Sequence, residues 1–101
     1  MGETILTHVS RKALAALCGR FGVSELALFG SALRDDFRPE SDIDVLVSFA
    51  PEVHVGFLTL ARLRRELEEL LGRRVDLVPK AGLKPLIRPE VLAQARTIYA
   101  A

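Results

Sequence analysis

Residues 42–49, Asp-Ile-Asp-Val-Leu-Val-Ser-Phe, constrain the fold more than any other stretch of this chain. The run is rich in β-branched side chains, and its first half alternates acid with apolar residues, the period of a strand. A strand must find partners for its backbone N–H and C=O groups, so the chain must build a sheet around it. Two other short apolar runs can supply neighbours. Leu26-Ala27-Leu28-Phe29 is too short for a helix, and Arg74-Val75-Asp76-Leu77-Val78 is closed by Pro79, which has no N–H to give to a sheet ladder. Ile98 and Tyr99 can add an edge strand.

Between these runs the spacing becomes helical. Residues 10–21 put Leu14, Leu17, Cys18 and Phe21 on one face and leave Arg11, Lys12 and Arg20 for water, with Gly22 placed as a stop. Residues 56–71 repeat the pattern at greater length. Phe57, Leu60, Leu63, Leu67, Leu70 and Leu71 form the apolar face, Arg62, Arg65, Glu66, Glu68 and Glu69 the wet one, and Gly72 ends it. Residues 83–96 read as helical with an interruption at Pro89, which starts a fresh turn with Glu90 near its positive end. Ala32-Leu33-Arg34 begins a short helical turn, and residues 35–41, which lack periodicity, form a surface loop whose Asp35 and Asp36 solvate it. The expected order is helix, strand, short helix, strand, helix, strand, helix, edge strand. That order predicts an α/β (α+β) fold: a small mixed sheet of three to four strands with helices packed against it, in a single domain spanning 1–101.

The composition narrows the functional classes. Half of the 101 residues are hydrophobic, enough for a continuous core without disulfides or a structural metal. Cys18 is the single cysteine, and its place among leucines marks it as a small buried residue rather than a nucleophile. Fourteen basic residues against thirteen acidic ones leave a net charge of +1, which argues against a broad surface for duplex nucleic acid. No apolar stretch reaches membrane-spanning length, and Met1-Gly2-Glu3-Thr4 opens without the basic start and hydrophobic run of a secretion signal, so a cytoplasmic location is expected. His8 and His54 stand alone, without metal-ligand spacing.

Three features carry chemistry. At Gly30-Ser31 a strand meets a helical turn, where a glycine lets the backbone approach a ligand and free N–H groups face an anion. Phosphate is the natural guest, with Ser31 adding a hydroxyl and Arg34 reaching the same anion or pairing with loop acids; the alternative is a plain turn. In the second feature, Asp42 and Asp44 project from one face of their strand while Ile43 and Val45 face the other way. Two like charges side by side in a strand are costly unless a cation sits between them. Magnesium suits, being a hard ion that takes carboxylate oxygens and bridges to substrate phosphates, and manganese suits the same ligands. The alternative for this pair is a solvated edge strand. Third, Asp76 sits inside another β-branched run; beside the first strand it converges on the other two acids, and otherwise it is an ordinary charged residue at a strand end. Three acids so placed can serve an in-line displacement at phosphorus. Lys80 and Lys84 follow the Asp76 strand and are left out of the core site.

Gly30-Ser31-Ala32-Leu33-Arg34, followed by Ser41-Asp42-Ile43-Asp44-Val45-Leu46-Val47, closely resembles the signature of the DNA-polymerase-β-like nucleotidyltransferase superfamily. Chain length, the Val75-Asp76-Leu77-Val78 run and the closing segment resemble its minimal nucleotidyltransferases in particular, and the resemblance covers nearly the whole chain. It implies a nucleotidyltransferase fold in which Gly30 and Ser31, with Arg34 as a further contact, bind the nucleoside triphosphate. Asp42 and Asp44 would be the catalytic metal ligands, and Asp76 the third metal-binding and catalytic carboxylate, helping to deprotonate the acceptor.

Larger members of that superfamily carry a further domain for the base or the acceptor. Here the acceptor is expected on another molecule or a second subunit, in a homo- or hetero-oligomer. The resemblance implies a HEPN-type toxin protein as partner, transfer of AMP from ATP to one of its tyrosine hydroxyls, and an antitoxin role that silences its RNase activity. A non-catalytic module that neutralises its partner by contact alone is the alternative.

Overall fold

A computed structural model describes residues 10–30 and 42–101. The order of elements is α1 (Arg11–Phe21), β1 (Val23–Phe29), β2 (Ile43–Phe49), α2 (Phe57–Leu71), β3 (Val75–Pro79), a 3₁₀ turn (Lys80–Gly82), α3 (Arg88–Gln94) and β4 (Arg96–Ala100). The four strands form one mixed sheet in the order β3-β2-β1-β4. β1 pairs antiparallel with both β2 and β4, whereas β2 and β3 run parallel, which is why a whole helix, α2, is needed to connect them.

The alternation read from residues 42–49 determines how the layers stack. Ile43, Val45 and Val47 point to one face and join Leu26, Leu28 and Val75 in a cluster closed by Leu14, Leu17 and Cys18 of α1 and Leu63 and Leu67 of α2. Arg20 of α1 pairs with Glu66 of α2 along the outside of that layer. Ala27 and Leu46 point to the opposite face, where a smaller cluster forms with Leu83 and the partly buried Phe29, Val78, Val91, Leu92 and Ala95. Two helices therefore cover one face, while the 3₁₀ turn and the short α3 cover part of the other.

Helix ends follow the sequence. Ser10 accepts the N–H of Ala13 on its hydroxyl oxygen at 3.2 Å, and Gly22 and Gly72 close α1 and α2 in the left-handed region. Some details differ. β1 begins at Val23 rather than Leu26, because Val23 and Glu25 gain ladder partners in Phe49, Ser48 and Ala100. The last helix is confined to Arg88–Gln94: Pro85 and Pro89 both lack an N–H, and Arg96 is drawn into β4 beside Leu28. Phe57, expected on the apolar face of α2, is 92% exposed because it opens the helix ahead of the turns that lie over the sheet. The turn at 32–34 and the loop at 35–41 lie outside the described residues.

Cys18 is fully buried, and burial pushes its thiol up to about 11. The folded state thus favours the neutral thiol, and the unfolded chain ionises first as pH rises. Stability from this group is complete below the ordinary thiol value of 9.0 and is lost between there and about 11. Chemical denaturation across that window is expected to show a decline in midpoint that Cys18→Ala reduces, and a thiol reagent at pH 8 is expected to label Cys18 only upon unfolding.

Candidate active site

β2 is an interior strand, flanked by β3 and β1, so Asp44 is not a solvated residue of a sheet edge. Asp44 stands opposite Phe29, the last residue of β1, on one side and opposite Asp76 of β3 on the other. Residues paired across a ladder share a face. Asp44 and Asp76 accordingly project on the face that carries α3, away from the layer where Ile43 and Val75 are buried. Asp44 is half-buried and Asp76 exposed.

The chain passes from Phe29 into Gly30 with φ at +64°, a left-handed conformation that costs an L-residue about 1–2 kcal/mol. Close approach is a second reason for glycine there. A Cβ on Gly30 would stand 2.3 Å from Oδ2 of Asp44 and 3.2 Å from its Cγ, so the carboxylate occupies the space a side chain would need. The glycine turn and the acid are therefore parts of one small structure, with the backbone of one against the carboxylate of the other.

Asp42 lies one residue before β2, at the same end of the sheet. Its Oδ1 is 3.1 Å from Nε of Arg74, the residue just before β3. Two further contacts fix this end of the β2–β3 pair: Ile43 N–H donates to the Arg74 carbonyl at 2.8 Å, and Val75 N–H donates to the Glu68 carboxylate of α2 at 2.9 Å. The peptide group between Arg74 and Val75, just before Asp76, is thus tied to β2 by its carbonyl and to α2 by its N–H. With Asp42 turned to Arg74, no three His, Cys, Asp or Glu side chains among the described residues stand together as a ready-made metal cluster. The arrangement brings Gly30, Asp44 and Asp76 side by side and gives Asp42 a cationic partner. Ser31 and Arg34 lie outside the described residues.

Lys80 belongs elsewhere. Its ammonium pairs with Glu25 at 3.5 Å, the other oxygen of Glu25 accepts from the Thr97 hydroxyl at 3.2 Å, and Arg88 donates to the Lys80 carbonyl at 3.0 Å. These contacts pin the 3₁₀ turn and α3 to the sheet four residues beyond Asp76, about 13 Å along the strand.

A carboxylate pair in register beside a backbone notch is what phosphoryl chemistry needs, and residues 10–98 match the family described as the nucleotidyltransferase domain. The chain belongs to that family. As a nucleotidyltransferase it is 42% identical over 92 residues to the protein adenylyltransferase MntA of Thermococcus cleftensis, a match covering 91% of this chain and 87% of that one. A solved structure assigned as a minimal nucleotidyltransferase superposes with a TM-score of 0.73 at 41% identity, over 93% of this chain and 92% of the other. A chain from the complex of a tri-AMPylated HEPN toxin of Shewanella oneidensis with an MNT antitoxin shares the fold, with a TM-score of 0.64 at 20% identity, over 100% and 74% of the two chains. The mixed four-stranded sheet is thus that of the minimal nucleotidyltransferases. Among the described residues no helix is long and apolar enough to cross a membrane.

Of the residues named from sequence, Gly30, Asp42, Asp44 and Asp76 all lie at one end of the sheet. Arg74 was not named. Its signal, a cation two residues before Asp76, gains meaning only once the register of β2 and β3 sets it beside Asp42.

Proposed function

We propose that this nucleotidyltransferase is a protein adenylyltransferase that moves AMP from ATP onto a tyrosine hydroxyl of a HEPN-type toxin, and so acts as the antitoxin of the pair. The observation that carries the reading is the contact of Asp44 with the glycine turn, with Asp76 in register on the next strand. The names of its relatives support the nucleotide and the partner.

The donor set fits magnesium. It consists of carboxylate oxygens, and this ion is usually held by one or two carboxylates together with substrate phosphates rather than by a complete protein cage. Asp42 and Asp44 would hold it with Asp76, and when bound it would neutralise charge developing on the phosphates. The residues of the chain do the rest. Gly30 and Ser31 bind the triphosphate, with Arg34 as a further cation, and fix its α-phosphorus for in-line attack. Asp76 accepts the proton of the acceptor hydroxyl as its oxygen bonds to the α-phosphorus. The bond from that phosphorus to the bridging oxygen breaks, and pyrophosphate leaves with the electron pair. The acceptor arrives on the partner protein, on the open part of the face beside α3.

Incubation of the chain with ATP, magnesium and its HEPN-type partner is expected to add the mass of an adenylyl group to a partner tyrosine. Asp42→Ala/Asp44→Ala is expected to remove that gain and the loss of RNase activity together. Neutralisation by the double variant with no mass change would replace this reading with the contact-only module.

A further inference from the structure

Asp42, assigned above to the divalent cation, already has a partner in Arg74. The backbone beneath them is fixed, since the Ile43 N–H donates to the Arg74 carbonyl. The side chains are 53% and 77% exposed, and an ion pair so exposed adds little to stability. Arg74 is two residues from Asp76 along the chain and shares its face, so a permanent positive charge stands beside Asp42 and near Asp76. Across the sheet the order is Arg74 and Asp76, then Asp42 and Asp44, then Phe29 and Gly30. With strands about 4.8 Å apart, the arginine and the glycine turn flank the acids at a separation of roughly 10 Å.

A cation at the acids competes directly with Arg74 for Asp42. Once displaced, the guanidinium faces a triphosphate that remains negative after one divalent ion has bound. Its planar fork matches phosphate oxygens in pairs. We propose that Arg74 is a phosphate-binding residue of the transfer site that exchanges partners: it holds Asp42 before the cation arrives and turns to the triphosphate afterwards. This rests on the assignment of Asp42, Asp44 and Asp76 to the site, and it gives two effects of opposite sign.

The test measures binding of Mn²⁺ alone, by the spectroscopic signal of the free ion, and then of AMP-PNP with saturating Mn²⁺, by calorimetry. Arg74→Ala is expected to bind Mn²⁺ alone up to about 5-fold more tightly, since an exposed competitor is gone. The same variant is expected to bind AMP-PNP about 10-fold or more weakly, the value of a charged hydrogen bond to phosphate. Arg74→Lys should keep the wild-type Mn²⁺ affinity and fall between the two for nucleotide. Weaker Mn²⁺ binding by Arg74→Ala, or undiminished nucleotide binding, overturns the proposal. Asp44→Asn separates the two failures. If it loses both ligands while Arg74→Ala alters neither, the partner exchange alone is wrong; if it binds both as wild type does, the site assignment falls and the proposal with it.

Discussion

Asp76→Asn is expected to slow adenylyl transfer by about 10²–10⁴-fold while the protein melts close to the wild-type temperature. Asparagine has the shape of aspartate but cannot take a proton at the oxygen that faces the acceptor. The position tolerates the change structurally, because Asp76 is exposed and its strand is held by other groups. The Glu68 carboxylate accepts the Val75 N–H, and Val75 itself is buried against Ile43. Surface replacements away from such supports usually stay within about 0.5 kcal/mol. Single-turnover kinetics with the partner present, together with a thermal melt, check both halves. A rate within a few-fold of wild type would remove Asp76 from proton transfer. A loss of folding would show instead that the carboxylate supports the strand.

The acids of the candidate site were legible in the sequence because they violate a local rule. Aspartate is unfavourable in strands, so Asp42, Asp44 and Asp76 stand out from the β-branched runs around them, and period-2 spacing already sets the first two on one face. Pairing was not readable. Whether β2 lay at an edge or inside the sheet depended on where β1 and β3 came to rest, and the interior position excludes the edge-strand reading of Asp44. For the same reason β1 was read too short. Ser24 and Glu25 have no strand signature of their own, but Glu25 is held in place by Lys80 and Thr97, partners far away in the chain. Phe57 was misplaced because helical periodicity carries no information about where the covered part of a helix begins. Arg74 shows the limit most clearly: an arginine at a strand start is unremarkable until two parallel strands set it against Asp42.

Gly30→Ala tests the union of turn and acid at a single atom. The added methyl carbon would meet Oδ2 of Asp44 at 2.3 Å, and the backbone there has φ of +64°. Two costs follow, and they fall on different properties. Left-handed backbone at a non-glycine residue costs about 1–2 kcal/mol, which for a domain of this size lowers Tm by roughly 4–16 °C. The steric cost falls on the side chain rather than on the main chain, because the atom in the way is the end of a carboxylate that can rotate. Rotation relieves the clash but carries the Asp44 carboxylate out of the notch, and misplacement of a catalytic group by about 1 Å can cost 10²-fold in rate. The variant is therefore expected to fold with a moderately reduced Tm, to lose about 10²-fold in adenylyl transfer, and to bind Mn²⁺ more weakly. Asp44→Asn adds a control, since in that background the glycine change should reduce stability by the backbone term yet have little activity left to remove. If Gly30→Ala retains wild-type transfer, the carboxylate does not need the position it holds against the turn, and the chemistry must be supported from another part of the sheet.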